Sequence, residues 1–191
     1  PLYVMSESKI RENHRRLHSL FSRNYSKIRI FYSAKANTNI SVLRILKSEG
    51  ASVDTVSPGE VFLAMEGGFH SDSILYTGTS VRDDELEYLF SKRVMINVDS
   101  LSQLGRLLKI GTPSILSVRV NPELGAGHHE HVVTAGKTSK FGIWEEDASK
   151  AYEVAKMAGV ERFGIHMHIG SGLTDVNPFM RAAEKLLNIA R

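Results

Sequence analysis

ILSVRVN, residues 115 to 121, sets how the rest of the chain is read. Side chains alternate across a strand, so Leu116, Val118 and Val120 share one face while Ser117, Arg119 and Asn121 share the other. The polar face is the one that needs a reason. The same pattern recurs in FGIHMH (163–168), where Ile165 and Met167 oppose His166 and His168, and in SVDTV (52–56), where Asp54 lies opposite Val53 and Thr55. In YSAKANTN (32–39), Lys35 shares parity with Phe31 and Ser33. If the apolar faces pack on helices, four strands each send an ionisable group toward a common interior, all near their carboxyl ends.

On either side of this segment, short β-branched stretches alternate with amphipathic ones, which is the signature of βα units around a parallel sheet. Strands are expected at 28–34, 52–56, 73–77, 94–98, 115–121 and 163–168, with a strand-like PLYVM at the start and a first helix near 8–22. Helix starts carry local signals: Ser57-Pro58-Gly59-Glu60 has a capping serine, an early proline and a glutamate at the third position, and Asn177-Pro178 repeats the idea. A closed eight-stranded parallel barrel gathers catalytic groups at the carboxyl ends of its strands. An open doubly wound sheet does so too, but with a glycine-rich first turn, and KANTN is not one. The expected fold is therefore an α/β chain holding about six βα units of a TIM-like (β/α)8 barrel. The sequence starts without methionine and stops inside the helical run PFMRAAEKLLNIAR, so it reads as a piece of something longer, with about two barrel units outside it.

The composition removes several function classes. The chain has 191 residues, 42% of them hydrophobic, enough for a real core. It has no cysteine, which excludes disulfides, thiolate zinc sites and cysteine nucleophiles and suits a reducing cytoplasm. The net charge of +3 is small and the basic residues are interspersed with acidic ones, so no nucleic-acid footprint is expected. No apolar run reaches the ~20 residues that a membrane helix needs.

Lys35 admits two readings from charge patterning: a lysine reaching into water, or a desolvated amine able to bond an aldehyde. Further motifs weigh on that choice. YSAKANTN, VDTVSPGE, SVRVNP, TSKFG and HMHIGSG follow one another in this order. Together they resemble the pyridoxal-phosphate decarboxylases built on an alanine-racemase-like barrel, with the diaminopimelate decarboxylases the most similar, over nearly the whole chain. The resemblance implies pyridoxal 5'-phosphate as cofactor, Lys35 as the amine that bonds its aldehyde, His168 stacked on the ring, and Ser171 with Gly172 at the phosphate. It implies Arg119 by the phenolic oxygen and Asp54 near the lysine and ring. It further implies decarboxylation of meso-2,6-diaminopimelate to L-lysine, a homodimeric enzyme with an amino-acid substrate, and a second β-domain outside this chain, without which the 191 residues are expected to be inactive. Exposed strand edges would favour association of such a piece.

Rival readings are a decarboxylase for ornithine, arginine or a carboxylated polyamine such as carboxynorspermidine, and a non-catalytic single-domain pyridoxal-phosphate carrier. Alanine racemase fits less well, because Ala36-Asn37 follows the lysine. Among the remaining candidates, Glu60 is either a cap or a neighbour of the site, and His166 reads as a hydrogen-bonded interior histidine. GHHEH (127–131) has metal-ligand types but no helical i, i+4 pair, so no metal is expected. Lys140 is a lesser candidate, since TAGKTSKFG departs from the family pattern by lacking a second glycine. Trp144, Tyr152, Ala155, Met157 and Ala158 read as packing positions.

Overall fold

The computed structural model describes residues 2–123 and 141–191. Two compact units are distinguished, Pro1–Thr77 with Lys92–Met95, and Gly78–Ser91 with Ile96–Arg191.

The first unit begins with helix α1 (Glu7–Ser22), whose N-cap Ser6 accepts a hydrogen bond from the amide of Lys9. There follow β1 (Phe31–Ser33), α2 (Ile40–Ser48), β2 (Ser52–Thr55), α3 (Pro58–Glu66) and β3 (Ile74–Tyr76). The three strands pair in parallel and in chain order, with Ser33 beside Asp54 and Asp54 beside Leu75. Apolar residues at helical spacing on α2 (Val42, Leu43, Leu46) turn inward; Leu43 has no exposed surface, and such burial contributes about 2 kcal/mol. Ile10 of α1 and Tyr32 of β1 pack on the cluster of Val42, Leu46 and Ala51. Arg11 and Arg15 of α1 both donate to the carboxylate of Glu49, just after α2. The two guanidiniums, Arg15 first, hold that carboxyl down at about 2.

The second unit contains α4 (Asp83–Ser91), β4 (Met95–Val98, all but its first residue), α5 (Leu101–Ile110), β5 (Ile115–Arg119), α6 (Glu145–Met157), β6 (Arg162–His166) and α7 (Asn177–Ile189). β4, β5 and β6 are parallel and again in chain order, with Asn97 beside Ser117 and Arg119 beside His166. Leu116, Val118 and Val120 are fully buried, as the alternation in ILSVRVN requires. Lys185 of α7 donates to the carbonyl of Pro122 at 3.1 Å and pairs with Glu145 at 2.6 Å, fastening α7 to the end of β5 and the start of α6.

The six expected strands are present and shorter than the apolar runs that announced them. Four local expectations need correction. Residues 2–6, which take in all of PLYVM but its first residue, form no strand. β1 stops at Ser33 and Lys35 lies on a single 3-10 turn, Ala34–Ala36, so its direction follows that turn and not the strand period. Asn177 does not cap α7; the Asp175 carboxylate accepts from the Asn177 amide and side chain instead. On α6 the buried stripe is Ala148, Ala151 and Ala155, whereas Met157 is 89% exposed and Ala158 is exposed as well.

Candidate functional site

In the first unit the ionisable residues meet at the carboxyl end of β2. Ser52 and Val53 anchor the strand in the core, and the strand period sends Asp54 to the opposite face from Val53. Its Oδ1 accepts from the Thr77 hydroxyl at 2.7 Å and its Oδ2 faces the Ser33 hydroxyl at 3.5 Å. Burial pushes the Asp54 carboxyl above the usual range; the Thr77 hydroxyl and then the positive charge of Lys35 pull it back, and Glu60 adds a small push upward. Lys35 and Asp54 are thus within electrostatic reach. Lys35 itself is exposed, so of its two readings the fold does not present the desolvated amine.

Glu60 has a definite task. Ser57 accepts from the Glu60 amide while Glu60 Oε2 accepts from the Val56 amide at 2.8 Å, one residue further back than the standard reciprocal cap. Ser100 and Gln103 repeat this on α5, where the Gln103 side chain takes the Asp99 amide at 2.8 Å.

In the second unit the expected residues Arg119 and His168 come together around His166. Arg119 ends β5 and is 8% exposed. Its Nη1 donates to Asp99 Oδ1 at 3.2 Å, and its guanidinium lies 4.9 Å from the centroid of the Phe141 ring, a cation–π distance. His166, beside Arg119 in the ladder, is pushed down to about 4 by burial, with the charges of Arg119 and His168 adding to the effect. It is a neutral imidazole at physiological pH. Its Nδ1 is buried without a hydrogen-bond partner among the described residues, so the expected hydrogen-bonded interior histidine is not found at that atom. Ser171 and Gly172 lie in the exposed turn after β6, where Gly170 and Gly172 have φ of 126° and 68°. Such left-handed positions let successive amides point one way, a geometry that suits an anion.

Four residues went unnoticed in the sequence. Asp99 is the most consequential: its side chain is 11% exposed, burial raises its carboxyl, and Oδ1 also accepts from the Gly142 amide at 3.2 Å. Extending the two-residue period of VMINV by one residue would have placed Asp99 with Asn97 on the polar face; both Asn97 side-chain atoms are buried and without partners among the described residues. Thr77 holds Asp54 from the end of β3. Phe141 and Gly142 belong to the TSKFG motif, in which only the lysine had been singled out. Lys140 and the GHHEH cluster lie outside the described residues. Among the described residues no group of three metal-ligating side chains occurs.

The residue types suit pyridoxal phosphate: an exposed amine beside a carboxylate, a guanidinium at a strand end, imidazoles in the following strand, and a glycine-flanked hydroxyl. The Nδ1 of buried His166, without a partner among the described residues, is consistent with a ligand being part of the intended surroundings.

Comparison with known proteins gives the same answer independently. Residues 7–191 match the family described as pyridoxal-dependent decarboxylase, pyridoxal binding domain. The chain is 54% identical over its whole length to the diaminopimelate decarboxylase of Methanothermobacter thermautotrophicus, covering 45% of that protein, and 37% identical to that of Archaeoglobus fulgidus, covering 46%. Among solved structures, diaminopimelate decarboxylase from M. jannaschii in complex with L-lysine superposes with a TM-score of 0.87 at 31% identity, over 98% of this chain and 46% of that one. The Helicobacter pylori enzyme with L-lysine gives 0.86 at 28% identity, over 95% and 48%. The chain thus spans about half the length of the curated relatives it matches.

Proposed function

Because the chain belongs to the pyridoxal-dependent decarboxylases, as their pyridoxal-binding domain, we propose that it serves the conversion of meso-2,6-diaminopimelate to L-lysine and carbon dioxide. The observation that carries this reading is the exposed Lys35, set on its own turn after β1 and within electrostatic reach of Asp54. The resemblance to diaminopimelate decarboxylases over the full chain supplies the substrate.

In this reading Lys35 Nζ would be the amine that holds the cofactor through its aldehyde. Asp54 would lie beside the amine, with Thr77 and Ser33 holding its carboxyl group in place. His168 would pack against the ring. The turn of Ser171 and Gly172 would take the phosphate with a hydroxyl and backbone amides, and Arg119 would hold the phenolic side of the ring. Pyridoxal phosphate, when bound, supplies the electron sink that accepts the pair left on the α-carbon as carbon dioxide departs. The same reading makes the enzyme a homodimer working in the cytoplasm. Among the described residues, no helix is long and apolar enough to cross a membrane.

Borohydride reduction of the full-length gene product, followed by peptide mass analysis, tests the nucleophile. A pyridoxyl label on Lys35, absent from Lys35→Ala, is the expected result, and a label elsewhere ends the reading. Carbon dioxide release from diaminopimelate compared with ornithine and arginine tests the substrate; turnover of either rival in preference to diaminopimelate overturns it.

A further inference from the structure

The carboxylate of Asp99 has no part in capping the helix beside it. Ser100 caps α5, and Gln103 takes the Asp99 amide, so the cap uses only the backbone of Asp99. The side chain turns away and bridges two other pieces of the same unit. Oδ1 accepts from Arg119 Nη1 at the end of β5 and from the amide of Gly142, each at 3.2 Å. Phe141, next to that glycine, lies against the same guanidinium. Gly142 has φ 82°, and a Cβ there would stand 2.9 Å from the Asn121 nitrogen. Ile143 pairs with the strand end through bonds to the Arg119 carbonyl and the Asn121 amide. One carboxylate oxygen therefore ties β4, β5 and the segment 141–143 at a single guanidinium.

Stability alone does not explain this arrangement. Asp99 and Arg119 side chains are 11% and 10% exposed, and a buried ion pair is commonly no better for stability than apolar residues of the same volume. What such a pair does provide is a fixed direction for a planar cation. The guanidinium so fixed sits at the carboxyl end of a strand, where α/β folds of this kind collect their ligands.

We propose that Asp99 is the positioning residue for Arg119, holding its guanidinium, with Phe141 and the Gly142 amide, in the orientation that the cofactor ring meets. This inference rests on the role given to Arg119 in the proposed function.

The test is a double-mutant cycle on the full-length protein, reading the dissociation constant of pyridoxal phosphate and the position of its visible absorption band. Asp99→Asn keeps the size and an acceptor oxygen but removes the charge. It is expected to weaken cofactor binding about tenfold, the worth of one charge-assisted hydrogen bond, and to move the band while borohydride still labels Lys35. Arg119→Gln should weaken binding at least as much. If Asp99 acts through Arg119, the double variant binds no worse than Arg119→Gln alone. Losses that multiply in the double variant overturn the proposal and leave the Arg119 reading intact. An Arg119→Gln protein with unchanged affinity and band overturns both. A loss of thermal stability in Asp99→Asn with unaltered affinity and band assigns Asp99 a packing role only and also overturns the proposal. Should Asp99→Asn not fold, Asp99→Glu takes its place in the cycle: losses that do not multiply with Arg119→Gln support the positioning role, and losses that multiply overturn it.

Discussion

The two clusters handle charge in opposite ways. At the end of β2, Asp54 is steadied by neutral hydroxyls from Thr77 and Ser33, and the amine it acts on is exposed. At the ends of β4, β5 and β6, Asp99, Arg119 and His166 are withdrawn from water, and the cation is matched by a carboxylate and an aromatic face. The contrast reflects a division of labour. In the proposed function Lys35 forms and breaks a covalent bond, which calls for access, and its surroundings constrain the neighbouring carboxylate while leaving the amine exposed. A group that acts by its field gains from a low dielectric and a fixed direction, so it is buried and compensated.

The largest effect expected to separate the two clusters is acid sensitivity of the buried one. His166 is neutral in the fold with its pKa lowered to about 4, while an unfolded histidine titrates near 6.5. Between those values the unfolded chain binds more protons, so stability falls as pH drops from about 6.5 to about 4, by on the order of 3 kcal/mol. Urea unfolding at several pH values should show this slope in the wild type and a flatter one in His166→Gln. An equal slope in both would place the acid sensitivity elsewhere. Next comes the segment that closes the buried cluster. Gly142→Ala forces a side chain into a left-handed backbone position and against the Asn121 nitrogen, and should cost about 2 kcal/mol in the same assay. A neutral substitution would refute the claim that this segment is tightly docked. The smallest effect belongs to the cluster at the end of β2: Thr77→Val removes the 2.7 Å bond to Asp54 and should cost about 1 kcal/mol. It should also raise the Asp54 carboxyl further, measurable by carbon-detected NMR titration, with no change in the His166 titration.

Strand parity carried most of the site into view. Arg119, His166 and Asp54 were legible because an ionisable residue alternating with buried valines and leucines leaves few places for it to point. Asp99 escaped because VMINVDS was divided at Val98: a serine after an aspartate reads as a helix start, and local capping chemistry hid the side chain's long-range partner. Lys35 illustrates the converse. The apolar run through Ala34 suggested a strand reaching the lysine, but strand ends are set by pairing, and β1 pairs only to Ser33. Met157 failed because helical periodicity gives a face without saying how wide it is; on α6 three alanines suffice to fill it. The motif order identified the family, while the contacts that hold its arginine in place needed coordinates.

The paired latches on α3 and α5 have a mechanical consequence. In each, a side chain three residues past the cap grips the amide just before it, so helix and strand end move as one piece. On α5 that gripped residue is Asp99. A tilt of the helix is therefore transmitted across a single residue to the guanidinium, and substitutions on the outer surface of α5, remote from any chemistry, become a means of tuning how the arginine is aimed.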